Sequence, residues 1–143
     1  MAHAIPHVRD AKAVHPVIHK TAPDEVPERI KVQFDEASLC LAVGANAACT
    51  AMCQVALESL WRDQQAKGID DLVDKGILAP ALRDRAHEIR LWAGAVKHEL
   101  SGEVAQEDAE ELLSYLEAIL DAVYVQPKRL NALREKRKQI GQK

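Results

Sequence analysis

The chain has 143 residues, 48% hydrophobic and 29% charged, which fits one globular domain better than two domains or a disordered chain. Nineteen basic and 22 acidic residues leave a net charge of −3, too near balance for a general nucleic-acid coat. With 5 aromatic residues against 23 alanines, the interior has to be built from small and aliphatic side chains, a composition that favours closely packed helices.

Residues 1–25 hold Pro6, Pro16 and Pro23 among four histidines with no apolar period, and read as an extended arm contributing little core. From Val26 onward Ile30, Phe34, Ala37 and Leu41 recur at helical spacing, predicting a first helix that Pro27 can open and Gly44 ends. Asn46 is the expected N-cap of a second helix. Its stripe of Cys49, Cys53, Ala56, Leu57 and Leu60 is widened by Ala48, Met52 and Val55, so burial on more than one side is expected.

Gly68 is expected to break that helix, a short turn follows over residues 70–74, and Gly76 stops it. Pro80 opens a third long helix to about Glu99, with Leu82, Ala86, Ile89, Ala93 and Val96 on its core face. Beyond Ser101-Gly102 a fourth helix carries Ala109, Leu112, Leu113, Leu116, Ile119, Leu120 and Val123. Pro127 is expected to start a separate, shorter fifth helix. No segment alternates like a strand, so the predicted fold class is all-α: a bundle of four main helices plus a C-terminal one. The expected organisation is an N-terminal arm over 1–25, a helical domain over 26–127 and a basic helix or tail over 128–143.

Charge is uneven along the chain. Between Glu99 and Gln126 stand eight acidic residues and no basic one, whereas Pro127 to Lys143 has seven basic residues against Glu135 alone. The two blocks suit the dipole ends of their helices and would compensate each other if the fourth and fifth helices packed antiparallel. The alternative use of Lys128, Arg129, Arg134, Lys136, Arg137 and Lys138 is contact with nucleic acid or an acidic partner.

No metal or cofactor site is predicted. Cys40, Cys49 and Cys53 lack a CxxC or a nearby histidine to complete a tetrahedral set and read as buried small hydrophobes. His3 with His7 and His15 with His19 have metal-compatible spacing only in a helix that Pro6 and Pro16 oppose. The scattered glycines assemble neither a dinucleotide fingerprint nor a phosphate loop, and no serine sits in a nucleophile elbow. No apolar run long enough for a membrane span and no signal-peptide core are seen, so the expected compartment is a reducing cytosol, with which an odd number of cysteines agrees.

Two features carry chemistry. Glu58 lies between Leu57 and Leu60, one turn after Gln54; either it points to solvent at the edge of the apolar arc, or it joins a polar network in the core or at a subunit contact with Arg90 or His98 as the partner a buried carboxylate needs. On the third helix His87, Arg90, Leu91, Gly94 and His98 share one side of the helical wheel. Glycine there costs roughly 1 kcal/mol relative to alanine, and close approach by another backbone or a ligand would explain it.

The stretch from Pro27 through Glu36-Ala37, Gly44, Leu57-Glu58, Gly76, Arg90 to His98 and Tyr124-x-x-Pro127 resembles the bacterial domain of unknown function 4145, a branch of the HEPN (higher eukaryote and prokaryote nucleotide-binding) superfamily. The resemblance implies a helical bundle, frequent homodimers, a defence or regulatory setting, and in active members metal-independent cleavage of RNA by arginine and histidine at the dimer cleft. Arg90 and His98 match the outer positions of the branch motif. Ala93 and Gly94 stand where Gly-Asn is usual, and Gln54 stands where an arginine is usual. Those replacements remove groups that would stabilise phosphorane charge. The leading expectation is therefore a non-catalytic dimerisation or interaction module, with a ribonuclease using Arg90 and His98, or a nucleic-acid binder using the basic C-terminal helix, as alternatives.

Overall fold

A computed structural model describes residues 20–98 and 103–142; the four histidines of the arm, the Ser101-Gly102 loop and most of the 1–25 segment lie outside them. Helix α1 spans Glu28–Ala42, α2 Asn46–Asp63, α3 Ile69–Asp74, α4 Pro80–His98 and α5 Gln106–Leu120. A π-helical turn, Asp121–Val125, then leads straight into α6, Gln126–Gly141. Among the described residues there is no strand, and the chain forms the all-α bundle that its periodicity predicts.

Helix α2 is the centre, packing against α1, α4 and α5 at once. That is why its apolar arc is so wide: Cys49, Cys53, Ala56, Leu57 and Leu60 are all fully buried. The alanines have a specific place. Ala37, Ala56, Ala86 and Ala109, one from each long bundle helix, are all 0% exposed, so small side chains sit where helix axes converge while Phe34, Ile30, Leu116 and Ile119 fill the layers between. On α4 the predicted core face is only partly realised, with Ala86 and Ile89 buried and Leu82, Ala93 and Val96 half-buried.

The end of the N-terminal arm packs more closely than its composition predicts. The Lys20 N–H donates to Ser38 Oγ at 2.8 Å and the Ala22 N–H to Asp35 Oδ1 at 2.9 Å, which brings Ala22 and Val26 into the core. Asn46 does not cap α2. It is the first helical residue, and its Nδ2 donates to the Val104 carbonyl at 3.0 Å, fastening the start of α2 to the segment before α5.

Two helix ends follow glycine as expected and one does not. Gly44 and Gly76 adopt φ of 80° and 75° and close Schellman turns, with Ala45 N–H to Cys40 O at 2.8 Å and Ile77 N–H to Leu72 O at 2.9 Å. Helix α2 ends before Gly68. Gln65, at φ 58°, takes the left-handed position while Ala66 N–H reaches Trp61 O at 2.7 Å, and Gly68 is merely extended at φ 170°. A side chain in the left-handed region is disfavoured by about 1 kcal/mol. Gln65→Gly is therefore expected to raise the unfolding free energy by up to about 1 kcal/mol. Urea denaturation checks this, and a variant less stable than the parent contradicts it.

The largest departure from the sequence reading is at Pro127. The fourth and fifth helices are one continuous rod and do not fold back on each other. Leu120, Val125 and Gln126 all keep right-handed helical dihedrals, and the Gln126 N–H bonds to the Asp121 carbonyl five residues back. Beyond Val125 nothing is buried: residues 126–142 are exposed on every side. The acidic and basic blocks therefore do not neutralise each other by antiparallel packing within the chain.

Candidate functional site

Glu58 is half-buried on α2, and its partner is local. The Gln54 Nε2 donates to Glu58 Oε2 at 2.9 Å, one helical turn away. Neither Arg90 nor His98 bonds to it, contrary to the sequence expectation, because Glu58 faces the α1 side of α2. There it lines a cavity of about 400 Å3 with Arg29, Gln33, Ser59, Arg62 and Asp63. Asp63 is held by the Tyr124 hydroxyl, which donates to its Oδ2 at 2.6 Å; burial first, and this bond second, push the Tyr124 phenol well above its ordinary range. The side-chain carbonyl oxygens of Gln33, on the cavity wall, and of Gln54 are buried without a hydrogen-bond partner among the described residues.

Arg90 stands elsewhere, exposed on α4 at a shallow cleft of about 460 Å3 floored by Trp61 and flanked by Lys67, Asp70, Asp71 and His87. His87 is not free to act alone: its Nε2 lies 3.0 Å from Asp70 Oδ1. That bond, assisted by the positive charges of Arg83 and Arg90, holds the Asp70 carboxyl below its ordinary value. The Lys67 N–H, donating to Asp71 Oδ2 at 2.8 Å, does the same for Asp71. His98 ends α4, exposed, eight residues past Arg90 and so about 12 Å further along the axis.

Gly94 lies on the same helix with open space around it: a Cβ built there meets nothing within 4 Å. Among the described residues it is not a point of close helix contact. The thiols are structural in their placement, with Cys49 and Cys53 fully buried and Cys40 partly so; the hydrogen bond that the Cys53 thiol donates to Cys49, and then burial, push Cys53 well up. Among the described residues no group of three or more histidine, cysteine, aspartate or glutamate side chains is placed to hold a metal ion. None of their helices is long and apolar enough to cross a membrane.

Lys128, Arg129, Arg134, Lys136, Arg137 and Lys138 are all exposed on α6, and among the described residues only Lys138 pairs with an acid, Glu135 at 3.5 Å. Leu130, Leu133 and Ile140 share that helix at 48, 67 and 73% exposure. Sequence reasoning missed the Arg29–Arg62 cavity and the Trp61 cleft, since both join residues from different helices with no local spacing to announce them.

An all-α bundle with an uncovered basic helix is the class that fold and surface define. The model of one family, a domain of unknown function (DUF4145), matches residues 35–136, and the chain belongs to that family. No curated protein and no solved structure matches it.

The pairing of His87 with Asp70 gives a pH test. Asp70 is depressed in the folded chain, so its contribution to stability is present above the unfolded carboxylate value near 3.9 and is lost as pH falls through the folded one. In His87→Ala the Asp70 carboxyl is expected to titrate back toward its ordinary value, read by carbon NMR of the side-chain carboxyl; an unchanged midpoint contradicts the assignment.

Proposed function

We propose that the chain is a non-catalytic, HEPN-like interaction module that works by self-association, in a reducing cytosol where its three free cysteines stay reduced. One observation carries this reading: α6 has no buried residue, yet it carries three large apolar side chains and six bases. A helix with a hydrophobic stripe in water gains little from packing within its own chain, and it becomes stable when a neighbour covers the stripe. Arg90 and His98 support an enzyme less well, because on one chain they stand apart, exposed, with Ala93 and Gly94 between them in place of polar groups. Light scattering behind a sizing column, at high micromolar concentration, is expected to give twice the chain mass. A strict monomer under those conditions overturns the reading.

A second reading, binding of nucleic acid without chemistry, is favoured by the density of exposed bases on α6. Its mark is RNA binding that weakens steeply with salt, by roughly one power of salt for each phosphate contact, and that vanishes when residues 128–143 are removed. Electrophoretic shift across a salt series decides it, and binding retained by the shortened chain contradicts it. The ribonuclease alternative predicts RNA cleavage in chelator that His98→Ala abolishes; equal or absent cleavage in both proteins ends it.

A further inference from the structure

We infer that the covering surface for α6 is the acidic flank of a second copy of this chain, so that two chains exchange their terminal helices reciprocally. This deepens the self-association reading and rests on it. The argument begins with an acidic ridge. Glu107, Glu110, Glu111 and Glu117 are all exposed on α5, and positions three, four and seven apart fall on one side of a helix. Among the described residues one cation bridges this ridge, Lys20 to Glu117 at 3.3 Å. No other cation among the described residues pairs with these glutamates.

The matching charge is on α6, which the same chain cannot bring to the ridge. Residues 106–141 form one helical rod, about 54 Å long at 1.5 Å per residue, so the basic end points away from the acids that precede it. Within a chain the two blocks are held apart; between two chains lying antiparallel they face each other. An isologous arrangement makes the contact twice, because what one copy offers the other receives. Opposite charges of this kind favour the correct register and speed encounter more than they add affinity.

Affinity needs apolar burial, and the structure supplies a place for it. Glu88, Leu91, Trp92 and Ala95 line an open groove of about 280 Å3 on α4, where Leu91 is 55% exposed. Tyr115 joins groove to ridge: Glu111 and Glu88 are both near it, and the Arg85 guanidinium lies 5.5 Å from its ring centre. An apolar groove bordered by carboxylates is complementary to a helix that carries Leu130, Leu133 and Ile140 within one arc, with Arg137 among them and further lysines and arginines around it. A nucleic acid would satisfy the bases and leave those three side chains in water. A second copy satisfies both.

Charge exchange tests the pairing. One variant carries Lys136→Glu, Arg137→Glu and Lys138→Glu; the other carries Glu107→Lys, Glu110→Lys and Glu111→Lys. All six positions are exposed, and circular dichroism checks that each variant keeps the helical content of the parent. Each variant alone is expected to be monomeric where the parent is dimeric, with the dissociation constant raised at least tenfold. The equimolar mixture is expected to regain a one-to-one dimer, since one contact is then native, the other is reversed on both sides, and both are attractive. Leu133→Asp is expected to weaken the parent dimer without being rescued by either charge variant. In the parent itself, sedimentation from low to molar salt is expected to show a loosening dimer, which keeps the test independent of the variants. Dimers that persist in both charge variants and in molar salt overturn the exchange while leaving self-association intact. A parent that is monomeric throughout overturns both, and RNA binding by that monomer identifies the nucleic acid as the occupant instead.

Discussion

Proline at position 127 has no N–H to offer the Val123 carbonyl, and in a regular α-helix its ring would press against that carbonyl. The chain meets this constraint by widening one turn: over Asp121–Val125 the bonding shifts to five-residue steps, and the Gln126 side chain also reaches Asp121 Oδ2 at 2.9 Å. The helix therefore passes through the proline without breaking. Everything distinctive about the surface depends on that. A break would let the basic segment fold back onto the acids; a continuous rod holds it out in solvent with its leucines uncovered.

The bundle behind this rod is held by a different constraint, the crowding of α2. A helix touched by α1, α4 and α5 together cannot carry large side chains on every contact, and the fully buried alanines let the axes approach. Thr50 shows the same economy. It is fully buried, and its hydroxyl donates to the Asn46 carbonyl of its own helix at 3.0 Å, so no neighbour has to satisfy it. Polar groups with further demands, Glu58 and Asp63, are placed at the edge of the packed region, where the cavity beside Arg29 and Arg62 opens.

Where local pattern decides structure, the sequence was legible. The periods that start at Ile30, Cys49 and Ala109 found their helices to within a few residues, and Gly44 and Gly76 announced their turns. It failed where two solutions compete at nearly equal energy. At the end of α2, Gln65 takes the left-handed turn three residues before an available glycine, because the Ala66 bond to Trp61 and the seating of Ala66 in the core outweigh a penalty of about 1 kcal/mol. At Asn46 an amide suited to capping finds the Val104 carbonyl instead. Around Glu58 the type of residue was informative but its companions were not: Gln54 lay in view one turn away, while Arg29 comes from another helix. The bases of α6 form a block visible in composition alone, but their exposure depends on how the helix passes Pro127, which no local spacing announces.

The two buried thiols give the bundle an internal clock. Cys49 and Cys53 are 0% exposed at the heart of α2, whereas Cys40 is partly open on α1. An alkylating reagent can reach the inner pair only when α2 separates from its neighbours, so the lag between capture of the outer sulfur and of the inner two measures how often the bundle opens. Any molecule that clasps the bundle shut would lengthen that lag without touching a sulfur.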